Sequence, residues 1–273
     1  MLHAIINDQK ICYTRSGNAT GDVMLLLHGI TTYSFIWRKL LPYLEKDYDV
    51  IVIDLLGCGS SDMPLNVSYS IKAHEERLFE FIKQLGIQRL HLVGHDLGGG
   101  IAQIFAINHP KMLISLSLIN TVAYDFWPVQ PMIAMRTPVI RQLLMGALDL
   151  GMMKMLVKAG MYHKERVDNA LMDLFWKPLR NSKGRKAFMH FARCLDHHNL
   201  MDIANQLSQL NVPTLIMRGD ADPFLGASTA EKLHADIPSS QLLRIDTASH
   251  YLMEDEPEWA AENILTFIRE QYA

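Results

Sequence analysis

Cysteine is scarce in this 273-residue chain, and its three cysteines, Cys12, Cys58 and Cys194, lie far apart. An odd number of cysteines without short spacing predicts neither a disulfide framework nor structural zinc. The adjacent pair His197-His198 has no further ligand at the spacing of a known metal motif. We therefore expect no bound metal and no cofactor.

Long apolar runs and an excess of positive charge are also missing. No stretch of about 18 or more apolar residues occurs, so no membrane span is predicted. The first seven residues contain no charged segment followed by a long apolar one, which predicts a cytoplasmic location. The net charge of −3, without a basic stripe, argues against a nucleic-acid partner.

What the chain does contain is enough apolar material for a large core, since 49% of its residues are hydrophobic and 20% are charged. Short apolar stretches alternate with helical segments, which is typical of a mostly parallel sheet with helices on both faces. The predicted strands are 23–27, 50–54, 90–93, 113–119, 214–217 and 242–245.

The strand pattern disappears after the fourth of these strands. From about residue 121 to 205 helical stretches replace it, including an apolar stripe over 140–148. This predicts a core of residues 1–120 and 206–273 with a helical insertion of residues 121–205. Ligands bind at the carboxyl ends of strands in open α/β sheets, so the insertion should cover the site as a cap.

An aspartate stands in the glycine-rich stretch of residues 94–99, directly after an apolar strand. A sharp strand-to-helix turn strains its central residue, here Asp96, and requires very small neighbours such as Gly94 and Gly98. A carboxylate presented there can attack a saturated carbon and form an alkyl ester. The same pattern is also typical of a plain turn or a helix N-cap, so it needs support from elsewhere in the chain.

Support comes from an acid and a base that follow later strands in the order expected after a nucleophile elbow. Asp220 and Asp222 follow the strand over 214–217, and we favour Asp222 as the acid. His250 follows the strand over 242–245 and is the predicted base. Three residues with matching roles at three strand ends predict a catalytic triad of Asp96, Asp222 and His250.

A His-Gly turn after the strand over 23–27 suits an oxyanion hole. In this architecture one backbone N–H comes from the residue after the nucleophile, here Leu97. The other comes from the loop after the architecture's third strand, which corresponds to the strand over 23–27, and is here the N–H of Ile30. Gly29 would let that loop approach closely. His28, in the same turn, is a candidate substrate-binding residue.

Taken together, these motifs resemble the α/β-hydrolase superfamily over essentially the whole chain. The aspartate at the elbow resembles its epoxide hydrolase and haloalkane dehalogenase branch. This resemblance implies a mostly parallel sheet with a helical cap inserted after the sixth strand of the family's sheet. It also implies that Asp96 is alkylated and that His250 and Asp222 drive water onto the resulting ester. Further residues that carry the resemblance are His28-Gly29, Ser34, Trp37-Arg38, Pro42 and the loop over 54–62.

The chain departs from the dehalogenase pattern at two positions. Haloalkane dehalogenases usually hold the halide with a tryptophan after the nucleophile, often helped by an asparagine after His-Gly, where this chain has Leu97 and Ile30. Trp127 and Trp176 in the insertion are the alternative indole donors. Fluoroacetate dehalogenases carry arginines just after the elbow, where residues 98–101 here are three glycines and an isoleucine.

The chain also departs from the epoxide hydrolases. They usually have a proline two residues after the His-Gly glycine, and Thr31 stands at that position. They also use cap tyrosines to protonate the opening ring, for which the insertion offers Tyr124 and Tyr162. A structural role for these two tyrosines is the alternative.

The sequence thus predicts a hydrolase acting with water on a small apolar substrate. An epoxide is preferred because its opening releases no anion that needs a halide cradle. The alternatives are a haloalkane dehalogenase with unusual halide ligands, and an ester or lactone hydrolase in which Asp96 acts as a base on water. A non-catalytic ligand receptor on the same fold is a third possibility. The sequence carries no signature of an oligomeric state.

Overall fold

A single eight-stranded sheet forms the centre of the structure, a computed structural model that describes residues 1–125, 127, 137 and 151–271. In chain order its strands are β1 Leu2–Ile6, β2 Gln9–Gly17, β3 Val23–Leu27, β4 Asp49–Ile53, β5 Leu90–Asp96, β6 Leu113–Thr121, β7 Thr214–Gly219 and β8 Ser240–Ile245. The spatial order is β1-β2-β4-β3-β5-β6-β7-β8. Strands β3 to β8 pair in parallel, so their carboxyl ends meet at one edge of the sheet.

The first two strands were missing from the sequence prediction. They form an antiparallel hairpin through a two-residue turn at Asn7 (φ 49°) and Asp8 (φ 63°). Positive φ at both central residues is the geometry of a type I′ turn, which favours Asn and Asp. This Asn-Asp pair between β-forming residues was the signal that could have revealed the hairpin.

Helices cover both faces of the sheet. Among the described residues, they are α1 Leu41–Leu44, α2 Ile71–Gln84, α3 Leu97–Asn108, α4 Met153–Ala159, α5 Asn169–Trp176, α6 Ser182–Cys194, α7 His198–Ala204, α8 Ala227–Asp236, α9 Leu252–Asp255 and α10 Pro257–Glu270. Alternate strand residues supply the two cores, as β3 illustrates. Leu25 and Leu27 belong to the core that includes α2, α3 and α8, whereas Met24 and Leu26 belong to the core that includes α1 and α10.

The fold class predicted from the sequence is confirmed, including helical structure between β6 and β7. Helices α4 to α7 all lie in that interval. The predicted apolar stripe over 140–148 lies outside the described residues. The exact domain boundaries stay a prediction.

Glu254, Asp255, Glu256 and Pro257 are good first-turn residues, so the sequence predicts that the C-terminal helix begins with them. This predicted start is wrong. Glu254 and Asp255 do not begin it but close the short helix α9, and Pro257 begins α10. Glu254 is fully buried and forms ion pairs with Arg38 and with Lys39, the latter at 2.9 Å. These acidic residues therefore serve as buried partners rather than as first-turn helix residues.

Close backbone packing joins the β5–α3 turn to its neighbours. A Cβ at Gly98 would lie 2.3 Å from the carbonyl oxygen of Leu27 and 2.6 Å from that of His28. A Cβ at Gly94 would lie 2.5 Å from the carbonyl oxygen of Gly98. The first turn of α3 can thus approach the end of β3 only because both residues lack side chains.

We predict that Gly98→Ala lowers the free energy of unfolding by about 2 kcal/mol or more, because backbone atoms must move to accept the methyl group. The loss should outweigh the gain of about 1 kcal/mol that alanine contributes to a helix. Urea denaturation measures the net change in the free energy of unfolding. Gly226→Ala is the matched control, since its Cβ would meet only Ser228 Oγ at 3.4 Å. Equal stability of the two variants would contradict the packing argument.

Candidate active site

Asp96 lies at the junction of β5 and α3 with strained backbone angles, φ 51° and ψ −119°. A non-glycine residue with such a φ is uncommon and persists only where the surroundings hold it. The apolar strand β5, buried at all seven positions, fixes one side of the turn, and the buried helix α3 fixes the other. The elbow predicted from the sequence is therefore present as a local geometry.

The Asp96 carboxylate is held by the two backbone groups that the sequence singled out. The N–H of Ile30 donates to Asp96 Oδ2 at 2.9 Å, and the N–H of Leu97 also donates to the carboxylate. A Cβ at Gly29 would lie 2.4 Å from Oδ2, so glycine is required for this approach. Burial raises the pKa of Asp96, while the charge of His250 and these two hydrogen bonds oppose that rise.

His250 is joined to Asp222 by a hydrogen bond of 3.0 Å between Nδ1 and Oδ2. Asn120 donates its Nδ2–H to the same oxygen at 2.8 Å, and the N–H groups of Phe224 and Leu225 donate to Oδ1. Burial alone would raise the pKa of Asp222. The charge and hydrogen bond of His250, with the other donors, outweigh that effect and hold the pKa at about 2. Asp222 is thus an ionised partner for the histidine at neutral pH.

The charge state of His250 is set by opposing effects. Burial lowers its pKa, but the carboxylates of Asp222 and Asp96 raise it by more than burial lowers it. The pKa therefore lies above the usual histidine value. His95 fixes the loop beneath it by donating its Nε2–H to the His250 backbone carbonyl at 2.9 Å. Burial lowers the pKa of His95 to about 3, so that ring stays neutral.

Asp220, the alternative acid, faces away from this cluster. Its side chain is 30% exposed and bonds Arg244 Nε at 2.9 Å. Arg218 Nε lies 3.4 Å from the same carboxylate. Of the two aspartates after β7, only Asp222 contacts His250.

His28 does not have the geometry expected of a substrate-binding residue. It is fully buried, its Nδ1–H donates to the Gly29 carbonyl at 2.8 Å, and its Nε2 accepts from the Leu55 N–H at 3.0 Å. Both ring nitrogens are therefore occupied, and burial lowers its pKa so that the ring stays neutral. His28 therefore joins the turn after β3 to the loop after β4.

The tyrosines predicted from the insertion also have other surroundings. The hydroxyl of Tyr124 donates to Asp236 Oδ2 at 2.6 Å, and Lys232 lies over its ring at 4.4 Å. Tyr162 is 45% exposed, and its backbone N–H donates to Asp255. The structure does not bring these two hydroxyls to Asp96. Spacing along the chain could not reveal these partners, because they come from distant segments.

Of the two candidate indole donors, Trp127 is buried in the core that includes α2 and α3, and Trp176 is partly buried against the core that includes α1 and α10. Two residues that sequence reasoning missed contact the candidate triad or its loops instead. Asn120, at the end of β6, binds Asp222, and the Tyr251 hydroxyl lies 3.4 Å from Thr31 Oγ1. Their positions, a polar residue ending a strand and a tyrosine directly after His250, were the available signals.

Helices between β6 and β7 pack against the loop that carries His250 and Tyr251. Phe175 of α5 contacts the Tyr251 ring with centroids 5.2 Å apart, and Gly160, at the end of α4, approaches the same ring closely. A narrow cavity separates the loop after β3 from α6 and the segment before it. Its lining residues are Ile30, Thr31, Thr32, Gly57, Cys58, Pro178, Leu179, Gly184, Phe188 and Phe191.

One group of side chains in the described part of the chain has ligand atoms close enough to hold a metal ion. Asp196, His197 and His198 bring these atoms within 4.8 Å of one another on the surface, remote from Asp96 in sequence. The sequence prediction had not paired Asp196 with the two histidines. Separately, none of the helices in the described ranges is long and apolar enough to cross a membrane.

Comparison with known proteins gives a consistent family. A family model described as alpha/beta hydrolase fold matches residues 22–257. The chain is 26% identical over 268 residues to an uncharacterized hydrolase of Bacillus subtilis, which covers 97% of this chain and 96% of that protein. It is also 26% identical to lipase 1 of Psychrobacter immobilis, covering 96% of this chain and 82% of that one.

Two further relatives belong to the branch that the sequence resembles. Epoxide hydrolase 3 of Xenopus tropicalis is 26% identical, covering 95% of this chain and 75% of that protein. The crystal structure of an ancestral haloalkane dehalogenase is 25% identical, with a TM-score of 0.88 and coverage of 100% and 99%. The chain belongs to the α/β-hydrolase fold family and is a hydrolase.

Proposed function

We propose that Asp96 attacks an electrophilic carbon of a small apolar substrate to form a covalent ester, and that His250 and Asp222 then activate the water that hydrolyses it. The observation that carries this proposal is the hydrogen bond from the Ile30 N–H to Asp96 Oδ2. This contact supports the proposal because backbone N–H groups at such a turn stabilise a developing oxyanion in this architecture.

The first step follows from the two inequivalent oxygens of Asp96. Oδ2 is held by the Ile30 N–H, which leaves Oδ1 as the attacking atom. An ionised carboxylate needs no base for this attack. The charge of His250 and the two N–H donors favour ionisation against the cost of burial. The attack produces an ester whose carbonyl oxygen is the one held by the backbone.

The second step uses the same cradle. When water attacks the ester carbon, negative charge develops on the carbonyl oxygen, to which the Ile30 N–H already donates. The Leu97 N–H is the second donor to this carboxyl group. His250 takes the proton from water, and Asp222 holds its ring through Nδ1 and stabilises the imidazolium that forms. Collapse of the intermediate regenerates Asp96 and releases the product.

The insertion acts as a cap in this proposal, with residues 121–205 covering the core of 1–120 and 206–273. Supporting contacts run from α5 to Tyr251 and from α6 toward the oxyanion loop. Apart from two threonine hydroxyls, the cavity side chains there are mainly apolar. An apolar lining favours a small apolar substrate and excludes bulk water from the ester.

An epoxide is the proposed substrate class, because its leaving oxygen stays attached to the product and needs no halide cradle. The side chains of Ile30 and Leu97 can donate no hydrogen bond to a halide. An ester hydrolase in which Asp96 acts as a base on water is the second candidate, favoured by the 26% identity to a lipase. The covalent intermediate separates the two candidates.

The covalent step predicts that His250→Ala accumulates an ester on Asp96, because attack needs no base whereas hydrolysis does. Incubation with short epoxides and haloalkanes, followed by intact-mass measurement, should show one adduct per chain. The added mass should equal the whole epoxide, or the alkyl group of the haloalkane less the one hydrogen that it replaces. Peptide mapping should place it on Asp96.

Asp96→Ala in the same His250→Ala background is the control, and it should form no adduct. An adduct with haloalkanes but never with epoxides would keep the nucleophile and change the substrate class. Turnover of esters without any adduct would contradict the covalent mechanism. Reversible binding alone would indicate a receptor.

The contacts of the two aspartates after β7 predict very different effects of removing their charges. Asp222→Asn should lower turnover by about three to four orders of magnitude, since the histidine loses its oriented and ionised partner. Asp220→Asn removes only a partly exposed ion pair and should change turnover by less than about threefold. Steady-state kinetics of the two isosteric variants decide the assignment, and the reverse ranking would refute it.

The raised pKa of His250 predicts an acidic limb in the hydrolytic step. His250 accepts a proton only when neutral, so hydrolysis should slow as the pH falls below its pKa. Removing the Asp222 charge lowers that pKa, so the residual activity of Asp222→Asn should have its acidic limb at lower pH. Single-turnover rates of ester hydrolysis against pH measure this shift, which Asp220→Asn should not produce.

A further inference from the structure

Two hydroxyl groups meet where the loop that holds Asp96 approaches the loop that carries His250. Thr31 directly follows Ile30, which holds Asp96, and Tyr251 directly follows His250. Their oxygens, Thr31 Oγ1 and Tyr251 Oη, lie 3.4 Å apart. The loop that holds the nucleophile and the loop that carries the base therefore each contribute one hydroxyl to the same place.

The Thr31 backbone is strained in a way that positions its hydroxyl. Its φ is +68°, a left-handed conformation that is a genuine outlier for a β-branched residue. Proline, usual at this position in the epoxide hydrolases, cannot adopt this angle. Strain of this kind clusters at functional sites. A glycine would relieve it but would supply no hydroxyl.

Tyr251 is held from the opposite side by the insertion. Its backbone N–H donates to the Gly160 carbonyl at 3.0 Å, and a Cβ at Gly160 would lie only 2.7 Å from the Tyr251 ring. Phe175 packs edge-on against that ring, and His250 lies beside it with centroids 5.0 Å apart. These contacts fix the ring direction and leave the hydroxyl aimed at Thr31.

The two hydroxyls together carry one proton more than their mutual hydrogen bond needs. Each hydroxyl carries one proton, so a mutual hydrogen bond uses one and leaves the other for a ligand atom. Within the described part of the chain, neither hydroxyl has another hydrogen-bond partner. Burial raises the pKa of Tyr251, and the charges of Asp96 and Asp222 raise it further, so it is protonated at neutral pH.

We propose that Tyr251, assisted by Thr31, donates the proton to the leaving oxygen when Asp96 opens an epoxide ring. This inference rests on the proposed covalent mechanism and concerns its first step. It assigns the acid role to a residue of the His250 loop, whereas Tyr124 binds Asp236 and Tyr162 is 45% exposed.

The step balances in protons and electrons. Asp96 forms a bond to the ring carbon, the carbon–oxygen bond breaks, and its electron pair goes to the oxygen. That oxygen takes the Tyr251 proton and becomes a hydroxyl, while Thr31 donates to the phenolate. In the hydrolytic step water forms a bond to the ester carbon and His250 takes its proton. His250 returns that proton to the product oxygen as the bond between the ester carbon and that oxygen breaks. The regenerated Asp96 carboxyl then releases its proton to the Tyr251 phenolate.

The test compares two substrates of equal length that differ in whether the leaving atom needs a proton. In the His250→Ala background, rates of adduct formation on Asp96 are measured with 1,2-epoxybutane and with 1-iodobutane. Iodide leaves as a stable anion, so no acid is required. Tyr251→Phe should slow the epoxide reaction about a hundredfold and the iodide reaction less than about threefold. Thr31→Val should slow the epoxide reaction about tenfold.

Tyr48→Phe is the matched control, because Tyr48 is also buried but packs on His91 near the amino ends of the strands. It should change neither rate. Equal slowing of both substrates by Tyr251→Phe would mean that the ring only positions the site and would overturn the acid role. Unchanged epoxide rates would overturn it as well. Failure of both substrates to alkylate Asp96 with Tyr251 intact would instead overturn the covalent mechanism.

Discussion

The hydrogen bond from the Ile30 N–H to Asp96 is the interaction on which the arrangement of the site depends. It exists because β3 and β5 are parallel neighbours whose carboxyl ends lie side by side. It also requires glycine at position 29, where any side chain would meet the carboxylate. The sheet order, the loop conformation and the strained elbow therefore together determine the position of one atom, Asp96 Oδ2.

Buried charge is the second constraint, and the cluster satisfies it internally. Asp222 is almost fully buried, yet four hydrogen bonds from His250, Asn120 and two backbone N–H groups keep it ionised. An unpaired carboxylate in such a place would take up a proton instead. Asp220 is instead partly exposed, and its charge is paired with Arg218 and Arg244 rather than with His250.

The helical insertion is tied to the His250 loop by polar as well as apolar contacts. The buried carboxylate of Asp255 accepts hydrogen bonds from the backbone N–H groups of Tyr162 and His163 in the insertion, and from Ser249 next to His250. Gly160 accepts from the Tyr251 N–H. A change in the position of α4 would therefore be transmitted to the loop that carries His250.

The sequence by itself determined the local features. Apolar strands, the glycines around Asp96 and the order Asp96, Asp222, His250 can all be read along the chain, because strand periodicity and turn chemistry are local properties. Only the tertiary structure decided that Tyr124 binds Asp236, that both nitrogens of His28 are occupied, and that Tyr251 meets Thr31 across 220 residues. Such contacts depend on how distant segments pack, and no local pattern encodes the partner of a buried polar group.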